Sequence, residues 1–200
     1  MYDPDLWWHL AQGRETAAGR LVRTNVFNYL HASYPQAYTP WLFDLGAFAA
    51  WRAAGGAGIQ AAQAGLLALT FGLTFAACRA RGTATSAVLA VMVLGFFVVE
   101  PRALPRPHLA SFAGLAAVAL LVERARARGR AAPLLAAVPV VALWSNLHVE
   151  AFVGAGLVGL FAVSEIVRPL ALTRREGLRA LAIAAGCLAA TLANPYGWGI

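Results

Sequence analysis

From about residue 57 onward the chain reads as long apolar runs separated by short polar connections. Six runs, near 57–77, 83–99, 108–122, 132–145, 150–167 and 178–193, reach or approach the length a helix needs to cross a bilayer. That length is about 20 residues for a hydrocarbon core of roughly 30 Å. The third and fourth runs are short, and Pro139 is expected to kink the fourth. A seventh stretch, WLFDLGAFAAWRAAG from Trp41 to Gly55, carries Asp44 and Arg52 within its apolar run. It reads as a helix lying at the membrane surface or leading into the first span. The predicted fold is therefore all-α: a polytopic transmembrane helix bundle over 53–200, preceded over 1–52 by an extracytoplasmic segment of interfacial, amphipathic helices.

Composition agrees. The 200 residues are 60% hydrophobic and 12% charged, with a mean hydropathy of +0.64, which excludes an ordinary soluble domain. All 16 basic residues are arginine, a bias read as genomic base composition, and the formal net charge is +7. A nucleic-acid binder would gather such charge on one soluble face with aromatic platforms. Here the arginines punctuate apolar runs, so the expected partner is the lipid bilayer and no nucleic acid. Cys78 and Cys187 both lie inside apolar runs and far apart, which implies neither a disulfide framework nor a metal motif. The sequence opens with no charged n-region, short apolar stretch and small-residue cleavage site, so a signal peptide is not expected.

The connections sort by charge. Residues 79–81, 124–130 and 168–179, after the first, third and fifth spans, hold ten arginines, whereas 100–107, 146–150 and 194–199 hold two, Arg102 and Arg106. The positive-inside rule makes the first set cytoplasmic. The second set then faces outward with residues 1–52, and a multi-pass protein of the cell inner (plasma) membrane is expected. Most residues suited to chemistry fall on that outer side, in loops short enough to pin them against helix ends.

In DPDLWWHLAQGRETAAG, Asp3 followed by Pro4 suits a helix N-cap, with a helix running to about Ala18. Asp5, Trp8, His9 and Gln12 then share one face. Leu6 and Leu10 fall on a neighbouring face, beside Trp7, available to lipid. Asp5 and His9, one turn apart, suit a base and its orienter, and either Asp3 or Asp5 is a candidate acid. Asp44 is expected to pair with an arginine, because an unpaired carboxylate in an apolar run is costly. EPRALPRPH offers Arg102, Arg106 and His108 on a proline-stiffened loop, and arginine's planar fork suits phosphate oxygens. The tight NLHVE turn holds Asn146, His148 and Glu150 at or near membrane depth. NPYGWG is a turn with Asn194 ahead of a proline and aromatics at the interface. Structural readings stand beside each of these: cap, ion pair, snorkelling arginine, plain turn. Phosphate-binding loops, dinucleotide folds, zinc proteases and serine hydrolases are excluded by the absence of their motifs.

Taken in order, the DPDLWWHL opening, the WL.D helix, RPH at a span start, NLH between two spans and NPYGW after another resemble uncharacterised bacterial polytopic membrane proteins. That group is similar to the GT-C glycosyltransferase superfamily, which includes protein O-mannosyltransferases and aminoarabinose transferases. The resemblance implies transfer of a sugar from a polyprenyl-phosphate carrier at the outer leaflet. It also implies an acid of the first outer loop, Asp3 or Asp5, as general base or partner of a divalent metal ion. Arg102 and Arg106 would hold the carrier phosphate, with His108, His148, Glu150 and Asn194 as further substrate-binding candidates. The chain departs from the pattern at Pro40 before Trp41 and at NVFN (25–28), where acids are expected. Family members begin with a transmembrane helix ahead of the acidic loop and carry more helices afterwards, so the chain is expected to be a fragment cut within an outer loop. A non-catalytic membrane scaffold or assembly protein of the same fold is the alternative function. A transporter is a third, although the two halves show no convincing inverted repeat.

Overall fold

The computed structural model describes residues 5–25, 30, 33–35 and 40–199, so Asp3 and most of NVFN lie outside the described residues. Among them run seven α-helices: α1 (Asp5–Ala17), α2 (Trp41–Ala80), α3 (Thr85–Val99), α4 (His108–Arg128), α5 (Ala137–Leu147), α6 (Phe152–Val167) and α7 (Arg174–Ala190). No strand forms among the described residues, only an isolated bridge between Thr24 and Pro35. The fold is all-helical.

Four segments are long and apolar enough to cross a membrane: α2, α3 with its following 3-10 turn (Thr85–Arg102), α4, and α6 with its preceding turn (Val149–Val167). The two remaining apolar runs form shorter helices. α5 and the 3-10 turn ahead of it occupy Ala132–Leu147, and α7 opens on the polar sequence RREG. The third run is longer than its apolar content indicates. α4 continues through Glu123, Arg124 and Arg126 to Arg128, where Gly129 in the left-handed region (φ 61°) caps it. The fourth run changes from 3-10 to α geometry just ahead of Pro139. Pro139 is the third residue of α5, in the first turn, where a missing N–H breaks no helical hydrogen bond.

α2 is broken at Ala54 and Gly55, where Gly55 takes φ 56° and ψ −137°, a conformation that favours glycine. The break separates 41–53 from 56–80, close to the end of the stretch read as leading into the first span. α1 lies on the first of these segments. Its Gly13 backs so closely on the Asp44 carbonyl that a Cβ there would collide with it. Leu10 is buried in this contact instead of facing lipid, while Trp7 remains half-exposed and meets Trp51 edge-on at 5.3 Å.

α2 packs along α4, α6 along α7, and α5 is seated against both α4 and α7. The core is drawn from α4 to α7, around Val118, Leu134, Val141, Trp144, Val158 and Cys187. α3 touches the rest lightly and buries only Val88.

Contacts gather the arginine-rich connections at one end. Arg81 pairs with Glu123 at 2.9 Å, and Glu123 also meets Arg126 at 3.5 Å. Buried Glu165 turns the loop after α6 by accepting the amides of Leu170, Ala171 and Leu172 at 3.0, 2.8 and 2.8 Å through one oxygen. Thr173 Oγ1 caps α7 through the Glu176 amide, and the Glu176 carboxylate in turn holds the Ala131 amide. The connections bearing histidines and asparagines meet at the other end.

Candidate functional site

At that second end lies an open recess of about 470 Å³ lined by Asp5, Trp8, His9, Pro40, Arg106, Pro107, His108 and His148. Five of the candidate residues therefore converge, from α1, the loop before α4, the start of α4 and the α5–α6 junction. Asp5, Trp8 and His9 come from one helical face, as their spacing requires.

The pairing differs from the expected one. Among the described residues the ion-pair partner of Asp44 is His9 and not an arginine: Asp44 is fully buried and its Oδ1 lies 2.8 Å from His9 Nδ1. The reason is the close α1–α2 crossing at Gly13, which brings His9 over the carboxylate. His9 is thus oriented by Asp44, not by Asp5, and Phe43 and Trp8 meet its ring edge-on. Asp5 Oδ2 pairs with Arg106 Nη1 at 2.9 Å across the recess, with both side chains partly exposed.

The loop 100–107 starts with a 3-10 turn, Glu100–Arg102, and its prolines set the entry to α4. His108 Nε2–H donates to the Arg102 carbonyl at 2.7 Å, closing that loop on itself. The Arg102 side chain is exposed and is not among the recess residues.

His148 has extended backbone (φ −161°, ψ 147°) between α5 and the 3-10 turn Val149–Ala151. Its Nδ1 lies 2.7 Å from Ser111 Oγ and 3.2 Å from Glu150 Oε2. Ser111 in turn receives the Trp144 indole N–H at 2.9 Å. Because Ser111 and Glu150 approach the same ring nitrogen, the three cannot relay a proton as a hydrolase triad does, where acid and serine sit on opposite nitrogens. Burial holds the His148 pKa below the ordinary histidine value, partly offset by the Glu150 carboxylate. Glu150 itself is half-exposed and outside the recess lining.

Asn146 and Asn194 act as braces. Trp41 Nε1–H donates to Asn146 Oδ1 at 2.8 Å, and Asn146 Nδ2 donates to the Ala193 carbonyl at 2.7 Å, tying the start of α2 and the C-terminal turn to α5. Asn194 spends its side chain inside its own turn, accepting from the Tyr196 and Gly197 amides and donating to the Thr191 carbonyl. It does not line the recess.

Ser111 and Trp144 carry no sequence signal of their own. Ser111 falls one turn after His108 on α4, and the indole that binds it is 33 positions away. No group of three or more His, Cys, Asp or Glu side chains is placed to hold a metal ion among the described residues. Asp5, the candidate acid among the described residues, faces the Arg106 guanidinium.

Beside the recess runs an apolar groove of about 540 Å³ between α2 and α3, lined by Leu6, Ile59, Leu67, Phe71, Phe96 and Val99, with Gln60, Gln63 and Glu100 at its edge. Leu6 and Pro105, which line it, are the chain neighbours of Asp5 and Arg106. A second furrow, lined by Phe71 and Val99 and bounded by Phe112 and Leu115 of α4, continues it. Comparison with known protein families, with curated proteins and with solved structures gives no match, so the GT-C resemblance rests on this chain's own motifs.

Proposed function

We propose that the protein is a GT-C-like membrane glycosyltransferase that moves a sugar from a polyprenyl-phosphate carrier to an acceptor hydroxyl at the outer face of the plasma membrane. The observation that carries this reading is the adjacency of a charged recess and an apolar groove, joined at Leu6–Asp5 and Pro105–Arg106. An amphiphile with an anionic head and a long hydrocarbon tail matches both. The sorting of arginines to the opposite end supports placing that end in the cytoplasm and residues 1–52 outside.

In this reading the carrier phosphate takes Arg106 from Asp5, because a phosphate offers guanidinium more charge and more acceptor oxygens than a carboxylate. Arg102, on the same loop, adds positive charge from its exposed position. The released Asp5 carboxylate accepts the acceptor hydroxyl's proton as that oxygen attacks the anomeric carbon. The carbon–oxygen bond to phosphate breaks, and the leaving polyprenyl phosphate keeps the electron pair, its charge balanced by Arg106. The His9–Asp44 pair fixes α1 so that Asp5 faces the arginine.

The test is release of polyprenyl phosphate from a panel of polyprenyl-phosphate hexose and pentose donors, using the full chain in proteoliposomes with native membrane extract as acceptor. Asp5→Asn should lower the rate about a hundredfold at equal expression, the usual contribution of a positioned base. A rate unchanged by Asp5→Asn would remove the catalytic assignment and leave the scaffold function.

A further inference from the structure

An indole N–H is a donor only, and a hydroxyl that accepts from it must place its own hydrogen elsewhere. Trp144 and Ser111 are both buried, and Trp144 Nε1–H donates to Ser111 Oγ at 2.9 Å. Other helix hydroxyls turn back on their own carbonyls: Ser145 on Ala142, Ser164 on Phe161 and Thr70 on Leu66. Ser111 instead faces His148 Nδ1 at 2.7 Å. To accept the Ser111 hydrogen, Nδ1 must present its lone pair, which puts the ring proton on Nε2. Glu150 Oε2 pulls the proton the other way, but from 3.2 Å and from a half-exposed side chain, so it is the weaker partner.

We propose that Trp144 and Ser111 are positioning residues that hold His148 as its Nε2–H tautomer, so that the imidazole offers an oxyanion in the recess a hydrogen-bond donor and not a basic lone pair. The oxyanion half of this statement rests on the function proposed above; the tautomer half does not. It divides the labour in the recess. Proton acceptance falls to the carboxylate side, Asp5 with the His9–Asp44 pair behind it, and His148 joins Arg106 as a donor to the anion.

The experiment is nitrogen NMR of the full chain, labelled on histidine, in lipid nanodiscs at neutral pH, with His148 assigned by its loss in His148→Gln. A pyridine-type Nδ1 and a pyrrole-type Nε2 are expected. Ser111→Ala should move the proton to Nδ1, toward Glu150, while Glu150→Gln should leave the tautomer as in the unaltered chain. Should Ser111→Ala fail to fold, Trp144→Phe keeps the hydroxyl but releases it to rotate, and a mixture of tautomers is expected. An Nδ1–H tautomer in the unaltered chain, or one insensitive to these substitutions, overturns the proposal.

Titration with dodecyl phosphate, read on the same resonances, tests the donor role. Ser111→Ala should weaken binding about tenfold, the worth of one hydrogen bond to a charged group, and Glu150→Gln should not. A shifted tautomer with unchanged affinity overturns the donor role. Absence of any dodecyl phosphate binding to the unaltered chain counts against the proposed function and leaves the tautomer result standing.

Discussion

Helices α3 and α4 are both apolar enough to cross a bilayer, yet α3 buries one of its 15 residues and α4 buries eleven of its 21. The difference lies in side-chain size. α3 is built from Val, Leu, Met and Phe with Gly95 facing open space, whereas α4 interleaves Ala and Gly along its packed face. In lipid an exposed Phe97 loses nothing by staying outside, so apolarity alone does not drive a helix inward; close approach of backbones does. Gly114 on α4 and Gly154 on α6 supply it, making room for the Trp144 ring, whose edge then reaches Ser111. The candidate site inherits both characters. Its held groups, Asp44, His9 and Ser111, are buried on close crossings, while Asp5 and Arg106 are partly exposed beside the apolar groove.

The largest effect is expected where a held charge loses its partner. Asp44→Ala should destabilise the chain in detergent micelles by about 3 to 5 kcal/mol, as removal of one member of a buried pair does. Asp5→Asn, which breaks a half-exposed pair, should stay within about 1 kcal/mol. Equal losses in chemical unfolding would erase the distinction between held and open groups. The next effect separates the helices themselves. A Cβ on Gly114 would stand 2.5 Å from the Trp144 ring, so Gly114→Val should cost about 3 kcal/mol by overpacking. Gly95→Val on α3, with nothing within 4 Å, should change stability by less than about 0.5 kcal/mol. A large loss at Gly95 would mean that α3 is packed against something in the membrane.

These contrasts also show what the sequence makes legible. Apolar runs mark where helices lie, because length and hydropathy are local properties, and the helical face uniting Asp5, Trp8 and His9 follows from spacing alone. The arginine loops, sorted by charge, meet at one end as contacts such as Arg81–Glu123 show. Partners across long separations are another matter. Asp44 was legible as a buried acid in need of a partner, but the choice of His9 over an arginine depends on Gly13 and the α1–α2 crossing, which no local pattern encodes. Ser111 is one hydroxyl in an apolar helix, and nothing in its neighbours announces an indole 33 residues on. Asn194, attractive beside a proline, proves to be the acceptor that closes its own turn.

The smallest effect is a pH dependence located on the held side. His148 has its pKa lowered first by burial, with Glu150 opposing, and it shares its surroundings with His9, His108, Asp5 and Arg106. A histidine in the unfolded chain titrates near pH 6.5. Between that value and the lower folded one the unfolded chain binds more protons, so stability must fall as pH falls. The contribution is full above about pH 6.5 and is lost on acidification through the folded pKa. Thermal unfolding across this window should therefore slope downward toward acid, and the slope should flatten in His148→Gln, which cannot titrate. Glu150→Gln should steepen it, because the carboxylate that favours the imidazolium is gone. If Glu150→Gln flattened the slope instead, Glu150 rather than burial would govern His148, and the junction between α5 and α6 would belong with the open groups.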